Sequence, residues 1–404
     1  MLKMGGGDMN TKRLILILGL AGFIVMADNW VVSPILPAIA KSFKVNPASA
    51  GILIAAYMLP FGLFQLVFGP LADRYGKLRV IMSTMIFFTI ATALCGLGTA
   101  LTDLSVYRAL TGLFAAATMP VSLALIGDVV PLENRQTAIG TFMGISFLGQ
   151  ALSMGIGGTI AFFVSWRGVF FAYAIIAAFI TVLLISTSKK LSGQLTSNPN
   201  SQVLAPYAKL LGHFPSLRAY IVVVFEGIFI LGSFSYLGAN ISHVFNFGYL
   251  AIGLIMTAFG IGAILAGRLG GKVAAKTGRR RLIAFGLLLA ATADLLIATF
   301  STNLAATIIG VFLLGLGFMF THSTLLTLAT EFAKKARGVA MSLVAFSFMV
   351  GGAIGTSIGG RFINALGYQS FFTTYGILLI VLSLIAYVAI SEVSLAKEEA
   401  ELVL

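Results

Sequence analysis

Twelve apolar runs, most of them about 20 residues or longer, set the terms on which this chain can fold. At 1.5 Å of rise per residue, a helix of that length covers the ~30 Å hydrocarbon core of a bilayer. The runs lie near 14–39, 50–70, 80–101, 104–128, 137–163, 168–187, 219–243, 249–271, 282–300, 304–330, 338–364 and 370–391. They lack the period-two alternation of membrane β-barrel strands, so they read as helices. Composition agrees: 59% of the 404 residues are hydrophobic and 10% charged, with mean hydropathy +1.02. A soluble domain carries about 25% charged residues. The expectation is an all-α membrane protein with 12 transmembrane helices, partnered by a lipid bilayer.

The formal charge of +13 could suggest nucleic acid, but the placement of the basic residues argues against it. With both termini cytoplasmic, 21 of the 26 Lys and Arg fall on the inner side; the others are Lys41, Lys44, Arg108, Arg167 and Arg361. That bias is the positive-inside rule, and it places the chain in a cell inner (plasma) membrane with no nucleic-acid partner. The first run has no small-residue cleavage site and reads as a retained helix. A single cysteine, Cys95, provides neither a disulfide framework nor a metal cluster. No Ser/His/Asp order, metal-ligand spacing or phosphate-binding loop appears, so no enzyme activity, cofactor or metal is expected.

The chain also repeats itself. Residues 69–80 read GPLADRYGKLRV and residues 271–282 read GKVAAKTGRRRL, an offset of 202. Gly69 and Gly76 face Gly271 and Gly278, while Asp73 faces Ala275. The offset persists: Arg135 with Arg337, Gly149 with Gly351, Gly157-Gly158 with Gly359-Gly360, Tyr173 with Tyr375. This implies two fused six-helix bundles, 1–187 and 219–404, joined by a cytoplasmic linker at 188–218. The second ends in a short acidic tail (Glu398, Glu399, Glu401) that carries no readable signal. An even span count gives both halves one orientation, a plan used by transporters with the substrate site between the repeats.

GPLADRYGKLRV resembles the loop 2–3 signature of the major facilitator superfamily, Gly-x-Leu-Ala-Asp-Arg-x-Gly-Arg-Lys. The resemblance implies two pseudo-symmetric six-helix bundles and a secondary transporter, expected as a monomer. It also implies a cytoplasmic gate at Gly69, Asp73, Arg74, Gly76 and Lys77, with Asp73 latching the halves and the second loop supplying positive charge alone. The plainer alternative is a solvated loop that only fixes topology. In the first span, MADNWVVSPILP resembles the drug:proton antiporter signature Asp-x-Thr-x-x-x-x-x-Leu-Pro, with Trp30 at the threonine position.

Asp28 falls mid-span, where an ionisable group is costly unless it faces a cavity or a partner. It is a candidate proton carrier, or one member of a structural ion pair. Arg108, in YRALTGLFAAATMP, enters the fourth span from the outer side at a depth approaching that of Asp28. It could pair with Asp28 in a coupling role, or snorkel to the headgroups. Glu226 is the third coupling candidate, as a second proton site or a charge for a cationic substrate. Asn29, Trp30, Asp294 and His322 are candidates for the substrate cavity; His322 could be a relay or a hydrogen-bonded core residue. Asp128 reads as interfacial. GQALSMGIGG in the fifth span resembles the antiporter signature Gly-x-x-x-Gly-Pro-x-x-Gly-Gly, with Ser153-Met154 at the Gly-Pro position. Gly149, Gly157, Gly158, Gly351, Gly355 and Gly359 are expected at a sliding seam between halves, although packing alone explains them equally well.

The resulting expectation is proton-coupled export of hydrophobic or amphipathic small molecules by alternating access, through an apolar, methionine-bearing cavity. The alternatives are sugar or metabolite efflux, a lipid flippase, or a transport-dead sensor or scaffold.

Overall fold

A computed structural model describes residues 6–188, 205–333 and 337–390. The expected linker therefore lies partly, and the acidic tail wholly, outside the described residues. No strand occurs among those described. The helices are α1 (Gly6–Trp30), α2 (Val32–Phe43), α3 (Pro47–Ala50), α4 (Ile52–Tyr75), α5 (Lys77–Leu97), α6 (Leu101–Ala115), α7 (Thr118–Val129), α8 (Leu132–Phe163) and α9 (Trp166–Ser188). After them come α10 (Ala205–Gly212), α11 (Phe214–Glu226), a π-helical turn (Gly227–Leu231), α12 (Gly232–Phe245), α13 (Tyr249–Thr277), α14 (Arg279–Thr299), α15 (Leu304–Phe332) and α16 (Arg337–Ala389).

These helices make twelve crossings, because three spans are interrupted and one helix folds back. The first span breaks at Val31, between α1 and α2. Proline lacks the N–H that would bond four residues back, and its ring crowds that carbonyl. Pro34 therefore leaves the Trp30 carbonyl outside the helical ladder. Pro120 does the same to Ala116, where α6 gives way to α7. The seventh span is α11, the π-turn and α12 in sequence. The helix from Gly338 to Ala389 has 52 residues, ~78 Å at 1.5 Å each, which is too long for one crossing. It reverses at Gly367, where φ is 79°.

The repeat is written into the backbone. Lys44 (φ 55°) and Asn246 (φ 52°) cap α2 and α12 in the left-handed region, 202 positions apart. Gly76 (φ 95°) and Gly278 (φ 87°), also 202 apart, make the turns from α4 to α5 and from α13 to α14. A side chain at either would be strained.

The two halves meet through α8 on α13 and α4 on α16, with α2 crossing α12 at the end far from Asp73. At that far end Ser33 Oγ donates to the carbonyls of Phe234 (2.7 Å) and Ser235 (3.1 Å). Ser33 and Ser235 are repeat equivalents, so the pseudo-twofold axis passes beside them. The Tyr236 hydroxyl lies 3.2 Å from the Ala48 carbonyl, and Asn364 Nδ2 donates to Ser49 Oγ at 3.3 Å. These contacts close the far end.

The six glycines expected at the seam divide unequally. A Cβ at Gly158 would overlap the Tyr249 carbonyl and approach Gly253 Cα to 2.9 Å, which is contact between halves. The other five pack within their own halves. Gly149 and Gly157 abut Phe23 and Val31, Gly351 and Gly355 abut Val224 and Ile228, and Gly359 abuts Phe371 and Tyr236. Small residues let any two helices approach, and here they first draw α8 onto α1 and α16 onto α11. Glycines not expected at the seam also meet across it: a Cβ at Gly360 would come within 2.5 Å of the Ala48 carbonyl, and Gly238, Gly253 and Gly260 press closely on Ser33, Met154 and Ala151.

Candidate functional site

Between the halves, on the Asp73 side of Trp30, an open cleft of about 820 Å³ separates α1, α4, α7 and α8 from α15 and α16. Six methionines line it: Met26, Met119, Met143, Met319, Met341 and Met349. Phe61, Phe147, Phe318 and Phe348 add aromatic surface, and the polar lining is Gln65, Gln150, Ser342 and His322. Methionine is unbranched and polarizable, so such walls can reshape around differing apolar guests. Trp30 forms the floor. Its indole meets Phe234 at 4.6 Å, Phe259 at 5.3 Å and Phe318 at 5.8 Å, all from the opposite half.

Two residues before Trp30 on α1, off the cleft lining, Asp28 belongs to the first charged pair. Arg108 donates to Asp28 Oδ2 at 2.7 Å and to the Asp28 carbonyl at 3.3 Å. Both side chains are buried, with 1% and 0% exposure. The guanidinium lies over the Tyr57 ring at 4.3 Å, a cation–π contact strengthened by desolvation. Snorkelling of Arg108 to a headgroup is thus corrected: α6 approaches α4 so closely at Gly112 that a Cβ there would overlap the Tyr57 carbonyl, and this holds Arg108 inward. The cluster is not fully satisfied. Asp28 Oδ1, Arg108 Nε and the Tyr57 hydroxyl have no hydrogen-bond partner. Such orphaned groups are costly in a low-dielectric interior.

In the other half, Glu226 is buried and its Oε2 lies 3.3 Å from His322 Nδ1. The His322 side chain is 18% exposed and reaches the cleft. Two residues expected at the cavity are placed elsewhere: Asp294 sits deep against α12, accepting from Ser233 Oγ at 2.6 Å, and Asn29 is buried off the cleft lining.

At the loop face, Lys77 Nζ reaches Asp128 Oδ2 at 2.6 Å and Asp73 Oδ1 at 3.2 Å. Asp128 is therefore paired as well as interfacial, and these contacts of Asp73 lie within its own half. Arg74 lies over the neighbouring Tyr75 ring. Gly76 is demanded by its positive φ, whereas the position of Gly69 is open to a side chain. The second loop itself carries only positive charge, and its Arg279 is paired by Glu331 at the end of α15. Arg279 is the repeat equivalent of Lys77, and Glu331 lies one position beyond the equivalent of Asp128. That one-position slip, on a different helix, hid the pair from a loop-by-loop comparison. On α10, burial pushes the Tyr207 phenol above its usual range, while a hydrogen bond to Ser342 acts in the opposite direction. This ties α10 to the cleft mouth.

The Major Facilitator Superfamily model matches residues 18–239 and 219–401. YceJ of Bacillus subtilis, an uncharacterized MFS-type transporter, is 27% identical over 386 residues, covering 92% of this chain and 94% of its own. Multidrug resistance protein 1 of Bacillus subtilis is 26% identical over 366 residues, covering 87% and 90%. Among solved structures, a bacterial homologue of the human lysosomal transporter Spinster, inward-facing and unoccupied, superposes with TM-score 0.79 at 16% identity, covering 94% and 97%.

Proposed function

Because the chain belongs to the major facilitator superfamily, and is therefore a multi-pass transporter of small molecules and not an enzyme, we propose that it exports hydrophobic or amphipathic compounds in exchange for protons. The observation that carries this reading is the cleft: apolar, methionine-walled and set beside a buried, incompletely bonded carboxylate. Exporters of variable apolar compounds need adaptable walls and few fixed polar contacts. A sugar permease would need more convergent hydrogen-bonding groups than two glutamines, a serine and a histidine.

In this reading the basic loops mark the cytoplasmic side, both termini are cytoplasmic, and the cleft faces inward in an inner membrane. Residues 1–187 and 219–404 rock against each other about the α8–α13 and α4–α16 contacts, as a monomer. Trp30 and its three phenylalanines close the outer path. Asp28 is the coupling acid, and Arg108 holds it while it is ionised. Re-forming the pair after proton release would favour one arrangement of the halves over the other, which is how differential interaction shifts such an equilibrium. Asp73, paired here with Lys77 of its own half, would latch the halves when the cleft faces outward.

The test is efflux of ethidium and a panel of lipophilic compounds from cells overproducing the protein. Export that stops when nigericin collapses the pH gradient supports the reading. Export indifferent to the gradient, or absent across the panel, overturns it.

A further inference from the structure

We propose that Glu226 and His322 form a proton relay, in which His322 on the cleft wall passes protons between the cleft and the buried Glu226 carboxyl. Among the described residues, only this buried carboxylate touches a titratable side chain that itself lines the cleft. Asp28 is paired instead with an arginine, which stays protonated and cannot relay, and Asp294 is bonded to the Ser233 hydroxyl.

The local geometry holds the two groups in register. The His322 ring sits between Phe348 (4.3 Å) and Phe318 (5.3 Å), so its plane is fixed while Nδ1 faces Glu226. Glu226 ends α11 immediately before the π-turn at Gly227–Leu231, a distortion that recurs at functional sites. Gly227 lies directly on the Phe348 carbonyl, where any Cβ would overlap it. Phe348 thus bears on both partners. Glu226 Oε1 has no hydrogen-bond partner, which leaves the carboxyl able to accept a proton. Other titratable groups on the surrounding elements are Arg218 and Tyr220 on α11, Tyr207 and Lys209 on α10, Tyr236 and His243 on α12, Glu331 on α15, and Arg337, Arg361, Tyr368, Tyr375 and Tyr387 on α16. Among the described side chains, His322 is the one that acts on Glu226.

The step balances without a co-reactant. A proton from the cleft bonds to His322 Nε2, making the ring a cation. The Nδ1–H bond then breaks, its electron pair stays on nitrogen, and the proton forms an O–H bond at Glu226 Oε2. The products are a neutral carboxylic acid and a neutral imidazole in the other tautomer; the reverse sequence returns the proton. The relay deepens the export reading and rests on it only for its link to transport. With Asp28 it gives each half one exchangeable carboxyl.

The experiment uses purified full-length protein in lipid nanodiscs, with infrared difference spectra after a pH jump. Acidification should produce a carboxylic-acid carbonyl absorption that Glu226→Gln lacks and that His322→Gln develops at least tenfold more slowly. A His213→Gln/His243→Gln protein keeps the relay and leaves His322 as the sole histidine for ¹⁵N NMR. Its ring should exchange tautomers across the titration. An absorption retained in Glu226→Gln, unslowed uptake in His322→Gln, or a ring fixed in one tautomer each overturns the relay. Transport is not measured, so failure of ethidium efflux beside an intact relay signal would overturn the export reading alone.

Discussion

Removing either member of the Asp28–Arg108 pair should cost far more than removing both. At 2.7 Å, two unit charges attract by about 6 kcal/mol at an effective dielectric near 20. Desolvation offsets much of that attraction, so the intact pair is a weak net stabiliser. Breaking it strands a buried charge, at about 3–5 kcal/mol, whereas apolar replacement of a whole pair is often close to neutral. Asp28→Asn and Arg108→Gln should each lower stability by that amount, while Asp28→Leu/Arg108→Met should lose less than either single change. Cys95 supplies the assay. It is the only cysteine, fully buried, and its sulfur lies 3.5 Å from Thr111 Oγ1 on the helix that carries Arg108. A thiol-reactive dye followed through a thermal ramp in detergent therefore reports opening of this region. Single variants as stable as wild type, or losses that simply add in the double variant, would refute the coupling argument.

Gly76→Ala places a side chain at φ 95° and should destabilise by about 1–2 kcal/mol, read in the same ramp; Gly69→Ala, into open space, should change little. Neutralising the loop-face acids with Asp128→Asn or Glu331→Gln should leave thermal stability within about 1 kcal/mol, as expected for exposed pairs. Asp73→Asn should likewise spare stability but slow efflux severalfold, whereas Ala275→Ser should do neither. Gly158→Val would wedge α8 away from Tyr249 and Gly253, and it should abolish efflux while leaving the protein in the membrane fraction. Normal efflux by that variant would remove the α8–α13 contact from the rocking interface.

Much of the architecture was legible because each device repeats a local rule. Apolar run lengths set the crossings, and the 202-residue offset anticipated paired turns that reappear as matched backbone angles at Gly76 and Gly278. Asp28 and Arg108 could be brought to similar depths by counting rise along two spans, since both are polar residues where lipid tolerates few. What stayed hidden depends on side-chain direction and on contact between distant helices. Glu331 could not be matched to Asp128, because the equivalence slips by one position. The glycine pattern marked close approach without saying which helix approaches. The π-turn after Glu226 has no proline or other residue signature, so the meeting of Glu226 with His322 appears only when α11, α15 and α16 are packed together. Gln65 and Gln150 were missed for the same reason: an uncharged polar residue within an apolar run shows no preference for cleft or neighbour until the helices are placed.

The central claim is that substrate entering the methionine-walled cleft displaces a proton, with Asp28 as the coupling acid. It is tested most directly in proteoliposomes of purified protein with pyranine on the side the cleft faces. Ethidium should evoke proton release from wild type and none from Asp28→Asn, while both proteins bind ethidium within about threefold of each other. Proton release undiminished in Asp28→Asn, or ethidium transport by wild type with no proton movement, would contradict the account.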